Sequence, residues 1–291
     1  MLLQVEAWPE LRRWAETAEA QGWDDIWVAD HMSNIPGRPY LECWALLGAL
    51  AVVTKRVRLG PLVASITLRG PAALAKHAVA VDRISGGRLE LGIGAGGAER
   101  DYHPNGLVPW SPRERQDRLE ETVEAVDRLL RGAGTDHIGP HYSLTGAEML
   151  PGPVQSPRPP ITIAAHGPRG LRLVARFAQG WNTLGRGGGP DERLPERLAA
   201  TRRQIEGLQL ACAEAGRPLA AIRRSVLLNW PTIDPFSSTG AFEELIGSYA
   251  ELGLDEFILY WPFEPEHRSA REAVIERIAA EVLPRLRDNR G

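Results

Sequence analysis

Short runs of continuous apolar residues alternate along this chain with longer segments whose apolar residues recur every three or four positions. The run 26–29 is of the first kind, and its lack of alternation is typical of a parallel strand covered on both faces. The segment that begins at Pro71 is of the second kind, with Leu74, Ala78 and Val81 on one helix face. The pattern therefore predicts parallel strands that are each followed by an amphipathic helix.

Eight such strand–helix units can be counted. Capping residues mark some of the boundaries, as at Ser111 and Glu114, which form a capping box at a helix start. The first four units pair strands at 2–5, 26–29, 57–65 and 88–93 with helices at 9–22, at 41–54, from residue 71 and from 111 to 130. The fifth strand is predicted at 161–165, and the last four units span 161–180, 181–215, 222–253 and 255–287.

Eight consecutive units predict an α/β fold of the (β/α)8 or TIM-barrel type, closed as a single domain over residues 1–291. A doubly wound open sheet is the alternative. Residues 132–159 are rich in glycine and proline, so we expect a short insertion before the fifth strand. In a barrel the active-site groups follow the carboxyl ends of the strands, here around Asp30, Ser65, Gly94, His166, Gly185, Trp230 and Trp261.

The composition is that of an ordinary globular enzyme, 43% hydrophobic and 24% charged, with a net charge of -3. Of the 34 basic residues only Lys55 and Lys76 are lysines, and the charges are interspersed, so no nucleic-acid partner is expected. The longest apolar stretch, near 45–53, is far shorter than the ~20 residues that cross a bilayer, and no signal peptide is recognisable. A cytoplasmic protein without a membrane partner is predicted.

The sequence Gly92-Ile-Gly-Ala-Gly-Gly97 formally matches the dinucleotide fingerprint G-x-G-x-x-G. The match is incomplete, because the next helix begins only at Pro112 and the acidic residue at about the required distance, Asp117, falls within that helix. Two interpretations stay open. The glycines let backbone N–H groups approach a phosphate or a flat ring, or they only form a turn.

Ionisable residues end two of the predicted strands. Asp30 and His31 follow the second strand, where a histidine would serve as an acid or base near neutral pH. The alternative is a solvated strand end at which Asp30 caps a neighbouring backbone. His166 and Gly167 follow the fifth strand, and the N-terminus of the next helix offers a place for an anion.

Several classes of chemistry have no motif in the chain. The seven histidines show no metal-binding spacing, so no metal is expected, and neither G-x-S-x-G nor a P-loop occurs. Cys43 and Cys212 cannot form a disulfide framework, and we expect both to be buried.

The chain is rich in tryptophan, with nine residues. Trp27 and Trp44 are expected in the core. Trp110, Trp230 and Trp261 lie in a loop or near strand ends of the predicted active face, where aromatic walls would suit a planar cofactor or substrate.

Four stretches, by their order and spacing, resemble the luciferase-like monooxygenase superfamily, the barrel enzymes that use flavin or deazaflavin. A fifth stretch, over 160–182, extends the likeness to nearly the whole chain. The four are GWDDIWVADH at 22–31; RLGPLV at 58–63 with RGP at 69–71 and LAK at 74–76; DRISGGRLELGIGAG at 82–96; and residues 115–121.

The resemblance implies a bound cofactor, either coenzyme F420, which is an 8-hydroxy-5-deazaflavin, or flavin mononucleotide (FMN). It matches Asp30 and His31 to a pair near the deazaflavin ring, with His31 as the acid or base and Asp30 orienting it or contacting the cofactor. It matches Leu62 and Val63 to a non-prolyl cis peptide behind the ring, and Ser65 to a nearby polar contact.

The resemblance also implies where the rest of the cofactor is held. Ala95 and Gly96, and likewise His166 and Gly167, match the loops that bind the phosphate and side chain, and His166 is the reserve acid–base group. Luciferases proper tend to have arginine where Ala95 stands, and relatives often have tryptophan or glutamate where Gly97 stands, so the contacts at these positions differ.

The resemblance thus predicts a coenzyme F420-dependent oxidoreductase that transfers hydride to or from a small organic substrate. The alternatives are an FMN-dependent monooxygenase, which would take reduced flavin from a partner reductase and react with O2, and a catalytically silent flavin-binding or scaffold protein. A homodimer is the expected oligomer. The substrate pocket is expected between loops 32–40, 98–110, 231–240 and 262–268.

Overall fold

The computed structural model describes residues 1–3, 7–32, 39–132, 135–185, 193–228, 234–261 and 268–288. Within these ranges the helices are α1 (Trp8–Ala20), α2 (Cys43–Val53), α3 (Pro71–Ser85), α4 (Pro112–Leu130), α5 (Pro168–Phe177), α6 (Leu194–Glu214), α7 (Thr239–Ala250), α8 (Arg268–Arg277) and α9 (Leu283–Asp288). A π-helical turn, Ile278–Val282, joins the last two. In this described part of the chain no helix has the length and apolarity needed to cross a membrane.

The strands are β1 (Leu2–Leu3), β2 (Asp25–Val28), β3 (Arg58–Pro61), β4 (Ala64–Ser65), β5 (Leu91–Gly94), β6 (Thr135–Ile138), β7 (Ser143–Ala147), β8 (Ile161–Ala164), β9 (Gly180–Thr183), β10 (Arg223–Leu228) and β11 (Glu256–Leu259). Parallel pairing joins β1, β2 and β3 in that order, and joins β4, β5, β8, β9, β10 and β11 in that order.

Within the described ranges, eight parallel barrel strands lie in consecutive order, and each is followed by a helix. β3 and β4 are two pieces of the third barrel strand, and a parallel bridge between Leu59 and Leu89 links this strand to the fourth. The predicted (β/α)8 class is thereby confirmed. A single domain over the whole chain stays a prediction.

The third barrel strand is interrupted, whereas the hydrophobic pattern predicted one continuous run over 57–65. β3 pairs with β2, and β4 pairs with β5. The peptide bond between Leu62 and Val63 is cis and lies between the two pieces. Periodicity does not detect this break, because both pieces consist mainly of buried residues.

The insertion before the fifth barrel strand contains an antiparallel hairpin of β6 and β7, which the glycine- and proline-rich sequence did not indicate. Glu121 of α4 attaches it to the barrel, because its carboxylate accepts hydrogen bonds from the N–H groups of His141 and Tyr142, at 3.0 and 2.9 Å. The carboxylate is 7% exposed. The hairpin is therefore docked on α4.

A second carboxylate fixes the segment between the hairpin and the fifth barrel strand. Asp82 of α3 is fully buried. It accepts hydrogen bonds from the N–H groups of Val154 and Gln155, at 2.6 and 3.1 Å, and from Gln155 Nε2 at 2.7 Å. Buried backbone N–H groups need such acceptors, so this segment depends on Asp82 for its place.

Two apolar clusters organise the interior. The larger lies between the strands and the helices, and the smaller, formed by Trp27, Leu62, Leu227 and Ile258, lies inside the barrel, since alternate strand residues point inward. Gly60 leaves the room that the indole of Trp27 occupies, because a Cβ there would lie 2.9 Å from Trp27 Cζ3. The interior of the barrel is thus packed and apolar at mid-height.

Charged groups fill the barrel at the amino-terminal ends of its strands. Glu90, which is 2% exposed, accepts hydrogen bonds from Thr162 Oγ1 at 2.7 Å and from Arg58 Nε at 3.3 Å, and it pairs with Arg223. A buried carboxylate with this many partners is well compensated. The network closes this end of the barrel, so the carboxyl ends of the strands form the mouth.

The abundance of arginine has a structural use that composition did not reveal. The guanidinium of Arg88 donates hydrogen bonds of 2.8–3.1 Å to the carbonyl oxygens of Ala51, Thr54, Val57 and Ser85. One side chain therefore satisfies carbonyls at the carboxyl end of α2 and ties this helix to α3 and the third strand. The planar fork of donors suits this role, whereas a lysine presents one nitrogen.

Candidate functional site at the barrel mouth

Asp30, at the carboxyl end of the second barrel strand, is buried and ion-paired. It is 2% exposed, pairs with the guanidinium of Arg69, and accepts a hydrogen bond from the backbone N–H of Ser65 at 2.9 Å. Arg69 also binds the carboxylate of Glu42 at 2.8 Å. Burial raises the pKa of Asp30, while Arg69 and the Ser65 N–H act in the opposite direction. Asp30 is therefore not a solvated strand end, and it joins the second barrel strand to the third.

The carboxylate in contact with His31 is that of Asp101 and not that of Asp30, for which the sequence analysis left two roles open, orienting His31 or contacting the cofactor. Contact of Asp30 with a cofactor stays a prediction. Nδ1 of His31 lies 2.6 Å from Oδ2 of Asp101, and Oδ1 accepts a hydrogen bond from the Met32 N–H at 2.9 Å. Asp101 is 1% exposed, whereas the His31 side chain is 30% exposed. A histidine held on one side by a buried carboxylate and reachable on the other is well arranged for proton transfer.

Asp101 lies in the loop that follows β5, in a short 3-10 turn. Its N–H donates to the carbonyl of Ala98 at 2.9 Å, and Asn105 Nδ2 donates to its carbonyl at 2.7 Å. The next residue, Tyr102, is 1% exposed and packs edge-on against Trp110, with ring centroids 5.5 Å apart. These contacts hold the loop, and with it the carboxylate, over the barrel mouth.

The cis peptide bond that the resemblance implied between Leu62 and Val63 is confirmed. Ser65 follows it, with its hydroxyl oxygen 2.6 Å from that of Thr67 and both hydroxyls buried. A Cβ on Gly96 would lie 2.9 Å from Ser65 Oγ, so this glycine lies directly beside the serine. Four of the predicted cofactor residues are thus brought together at the ends of the third and fourth barrel strands.

Close packing explains the glycine run that follows the fourth barrel strand. A Cβ on Gly92 would collide with the carbonyl oxygen of Pro61, and one on Gly94 with Cγ2 of Val63. Gly96 has a φ of 68°, which side-chain-bearing residues rarely adopt. Close packing therefore explains Gly92 and Gly94, and a turn conformation explains Gly96. Contact of the loop with a phosphate or a flat ring stays a prediction.

A cavity of about 210 Å³ lies between the loops after β5 and β8. Gly96 and three further predicted cofactor residues, Ala95, His166 and Gly167, line it together with Arg115 and the first turns of α4 and α5. Gly167 is the N-cap of α5 and supplies no side-chain cap. Helix N-termini and a guanidinium favour an anion, so this cavity fits the phosphate that both F420 and FMN carry.

His166 lies between this cavity and a second one of about 280 Å³, which Arg203 and Gln204 of α6 also line. The imidazole is exposed, and its Nε2 accepts a hydrogen bond from the Leu184 N–H at 3.3 Å. It is therefore placed to contact a ligand in either cavity. In the described ranges no group of three or more His, Cys, Asp or Glu side chains is arranged to hold a metal ion.

One tryptophan that was predicted to line the pocket, Trp261, lies in the core instead. Trp261 is 2% exposed and stacks on Trp14 of α1, with ring centroids 6.0 Å apart, so it belongs to the main core and is not a pocket wall. The alternation of strand residues turns its side chain outward between the barrel and α1. Trp27 and Trp44 are buried, as expected. Trp230 lies outside the described residues.

The sequence analysis did not single out Asp101, and it gave Arg69 and Arg115 no role beyond their place in the stretches that carry the family resemblance. All three lie in a loop after a barrel strand or in the first turn of the following helix. For Asp101 the position after a barrel strand was the only signal, and it is a weak one, because charged residues are common in such loops. The pairing of Asp101 with His31 spans 70 residues and has no counterpart in local periodicity.

Comparisons with known proteins agree with this architecture. A family model described as luciferase-like monooxygenase matches residues 1–230. An uncharacterized protein of Mycobacterium tuberculosis is 32% identical over 210 residues, which are 66% of this chain and 70% of that protein. The 5,10-methylenetetrahydromethanopterin reductase of Archaeoglobus fulgidus is 32% identical over 173 residues, which are 59% of this chain and 48% of the reductase.

Solved structures of other proteins have a similar fold. An F420-dependent secondary alcohol dehydrogenase in complex with an F420-acetone adduct has a TM-score of 0.81 at 18% identity, covering 98% of both chains. A monooxygenase from Streptomyces bottropensis has a TM-score of 0.74 at 20% identity, covering 98% of this chain and 100% of the monooxygenase. At these identities the likeness shows the fold.

Proposed function

The chain belongs to the luciferase-like monooxygenase family, and from this premise we propose that it is a coenzyme F420-dependent oxidoreductase that transfers hydride to or from a small organic substrate. The observation that carries the proposal is the His31 imidazole, held by Asp101 at the barrel mouth. Reduction of a carbonyl, or oxidation of an alcohol, moves a proton as well as a hydride, so such an enzyme needs a positioned acid or base.

Two parts of the mouth would hold the cofactor. Leu62 and Val63 would support one face of the deazaflavin ring, with Ser65 as a polar contact beside it. The cavity of about 210 Å³ would take the phosphate between the first turns of α4 and α5. Its lining includes Ala95, Gly96, His166, Gly167 and Arg115. When bound, the deazaflavin would itself carry the two electrons as a hydride.

The protein's own side chains would handle the proton and the positioning. His31 would give a proton to the substrate oxygen or take one from it. Asp30 would act through Ser65, whose N–H it binds, and would keep this part of the pocket wall in place together with Arg69. Positioning of this kind supplies much of the rate enhancement when the reacting atoms meet at ~3–3.5 Å.

An FMN-dependent monooxygenase is the second candidate. The Streptomyces monooxygenase has a similar fold over the whole of both chains, and an FMN phosphate would suit the same cavity. Alanine at position 95 favours F420, because luciferases tend to have arginine there. If FMN is the cofactor, a flavin reductase is a required partner. A homodimer and a cytoplasmic location remain predictions.

Titration of the purified apoprotein with F420 and FMN, side by side, tests the proposal. We expect saturable F420 binding with little response to FMN, followed by F420 turnover with simple alcohols or ketones. Arg115→Ala should weaken F420 binding about tenfold by removing a charge from the cavity. Arg113→Ala is the matched control, because this arginine of the same helix is 89% exposed and should not change the affinity.

Tight FMN binding, with O2 consumption when the flavin is reduced, would replace the proposal by the monooxygenase. Binding of neither cofactor, or binding without turnover on any substrate, would overturn both the F420 and the FMN proposals. The hypothesis of a catalytically silent flavin-binding or scaffold protein would then remain.

A further inference from the structure

We propose that Asp101 is the positioning residue of this site: its carboxylate keeps the proton of the neutral His31 ring on Nδ1 and so makes Nε2 the nitrogen that exchanges a proton. The use of that proton rests on the proposed function, but the state of the ring does not. Asp101 is not among the motif residues of the family resemblance.

Both carboxylate oxygens of Asp101 bind the end of the second barrel strand. Oδ2 lies 2.6 Å from His31 Nδ1, and Oδ1 accepts the Met32 N–H at 2.9 Å. A carboxylate can only accept, so Nδ1 must be the protonated nitrogen of a neutral imidazole in this geometry. The opposite nitrogen, Nε2, is then left with its lone pair.

The carboxylate is itself fixed, which is what a positioning group requires. Asp101 is 1% exposed, and its backbone is held through the N–H by Ala98 and through the carbonyl by Asn105. The Met32 N–H adds a second anchor that does not depend on the histidine. The ring is thus oriented by a group that does not move with it.

The carboxylate of Asp30 does not orient the His31 imidazole. Asp30 precedes His31 in the chain, but it is committed to Arg69 and to the Ser65 N–H. These two buried carboxylates therefore have separate roles. Asp30 joins two barrel strands, and Asp101 orients the imidazole.

Asp101→Asn is the informative variant, because it keeps the shape of the side chain. The Met32 N–H is an obligatory donor and will take the single amide oxygen, which turns the amide NH2 towards His31 Nδ1. That nitrogen must then accept, and the proton moves to Nε2. A carboxylate that only fixed the loop would not produce this exchange.

The first readout is the 15N spectrum of histidine-labelled apoprotein at alkaline pH, with the His31 signals identified by their loss in His31→Gln. We expect wild type to carry the proton on Nδ1, Asp101→Asn to carry it on Nε2, and Glu99→Gln to match wild type. Glu99 is the matched control, because it is an exposed carboxylate of the same 3-10 turn.

The second readout is steady-state kinetics of the loaded enzyme. We expect Asp101→Asn to lower kcat by about 10²–10⁴, the range for a misprotonated general base, with KM changed by less than about threefold. Glu16→Gln, in an exposed carboxylate of α1 outside the loops of the predicted pocket, should retain wild-type kinetics.

A wild-type ring protonated on Nε2, or an unchanged ring in Asp101→Asn, would overturn the positioning role whichever cofactor binds. A wild-type tautomer on Nδ1 that reverses in the variant, in a protein that binds no F420, would support Asp101 and overturn the proposed function. The two ideas can therefore fail separately.

Discussion

The guanidinium of Arg69 lies between the carboxylates of Asp30 and Glu42 and binds both. The two contacts differ in environment, since Asp30 is 2% exposed and the Glu42 side chain 53% exposed. The ion pair with Asp30 is therefore expected to contribute more to the free energy of unfolding than the ion pair with Glu42. Without Arg69, Asp30 would be a buried charge with one backbone N–H as its compensation.

Arg69→Met should destabilise the protein by about 3–5 kcal/mol, the cost of leaving a buried charge unpaired. Burial already raises the pKa of Asp30, and loss of the guanidinium raises it further. The folded variant then binds a proton more readily than the unfolded chain. Its stability should consequently rise as the pH falls through the folded-state pKa towards the unfolded value.

Urea unfolding of Arg69→Met at pH 7.5 and pH 5.5 measures both effects. Glu42→Gln is the control and should cost less than about 1 kcal/mol, because its contact with Arg69 is exposed. A variant as stable as wild type at both pH values would show that the buried pair contributes nothing.

Gly94→Ala should destabilise the protein by about 1–3 kcal/mol through overpacking, because the new methyl group meets Cγ2 of Val63. Gly48→Ala is a matched change in α2 at which a Cβ meets nothing within 4 Å. It should stabilise the protein by about 0.5–1 kcal/mol. Chemical denaturation compares the two, and equal effects would contradict the packing argument.

Asp82→Ala should cost about 2–4 kcal/mol, because it removes the acceptor of two backbone N–H groups, those of Val154 and Gln155. The segment before the fifth barrel strand should then be cut faster in limited proteolysis. Arg83→Ala is the comparison, since its bond to the Gly152 carbonyl is exposed and its loss should cost less than about 1 kcal/mol. Equal rates of proteolysis in both variants would contradict the role of Asp82 in holding this segment.

His31→Ala should lower turnover by about 10²–10⁴ while cofactor affinity stays within a few-fold, because the ring is expected to move a proton and not to bind the phosphate. His166→Ala should have the opposite profile, with weaker cofactor binding and a smaller change in turnover, since His166 lines the cavity. Initial rates and cofactor titrations of both variants decide between the two histidines. Unchanged turnover in His31→Ala would withdraw its assignment.

The order of the barrel was predictable because each unit carries its own local signal. Continuous apolar strands and amphipathic helices are short-range patterns, and the predicted helices 9–22 and 41–54 end within two residues of Trp8–Ala20 and Cys43–Val53. The break at Leu62 and Val63 has no such signal. It came from the family resemblance, because apolar residues continue on both sides of it.

The residues of the site were only partly predictable for a related reason. Asp30, His31 and His166 stand at strand ends, which the pattern locates. The partner of His31 stands 70 residues away in a loop without periodicity. Trp261 shows the limit of position alone, because a strand-end residue faces either the mouth or the helices, and this one packs on Trp14.

His31 and Asp101 belong to loops that follow different barrel strands, so recombination with a relative can separate them. A chimera that imports only the loop over 98–110 replaces the acceptor of a histidine it leaves behind. A single insertion in that loop would have the same effect. These two loops should therefore be transplanted as one cassette, and libraries that diversify the mouth should hold positions 31 and 101 constant together.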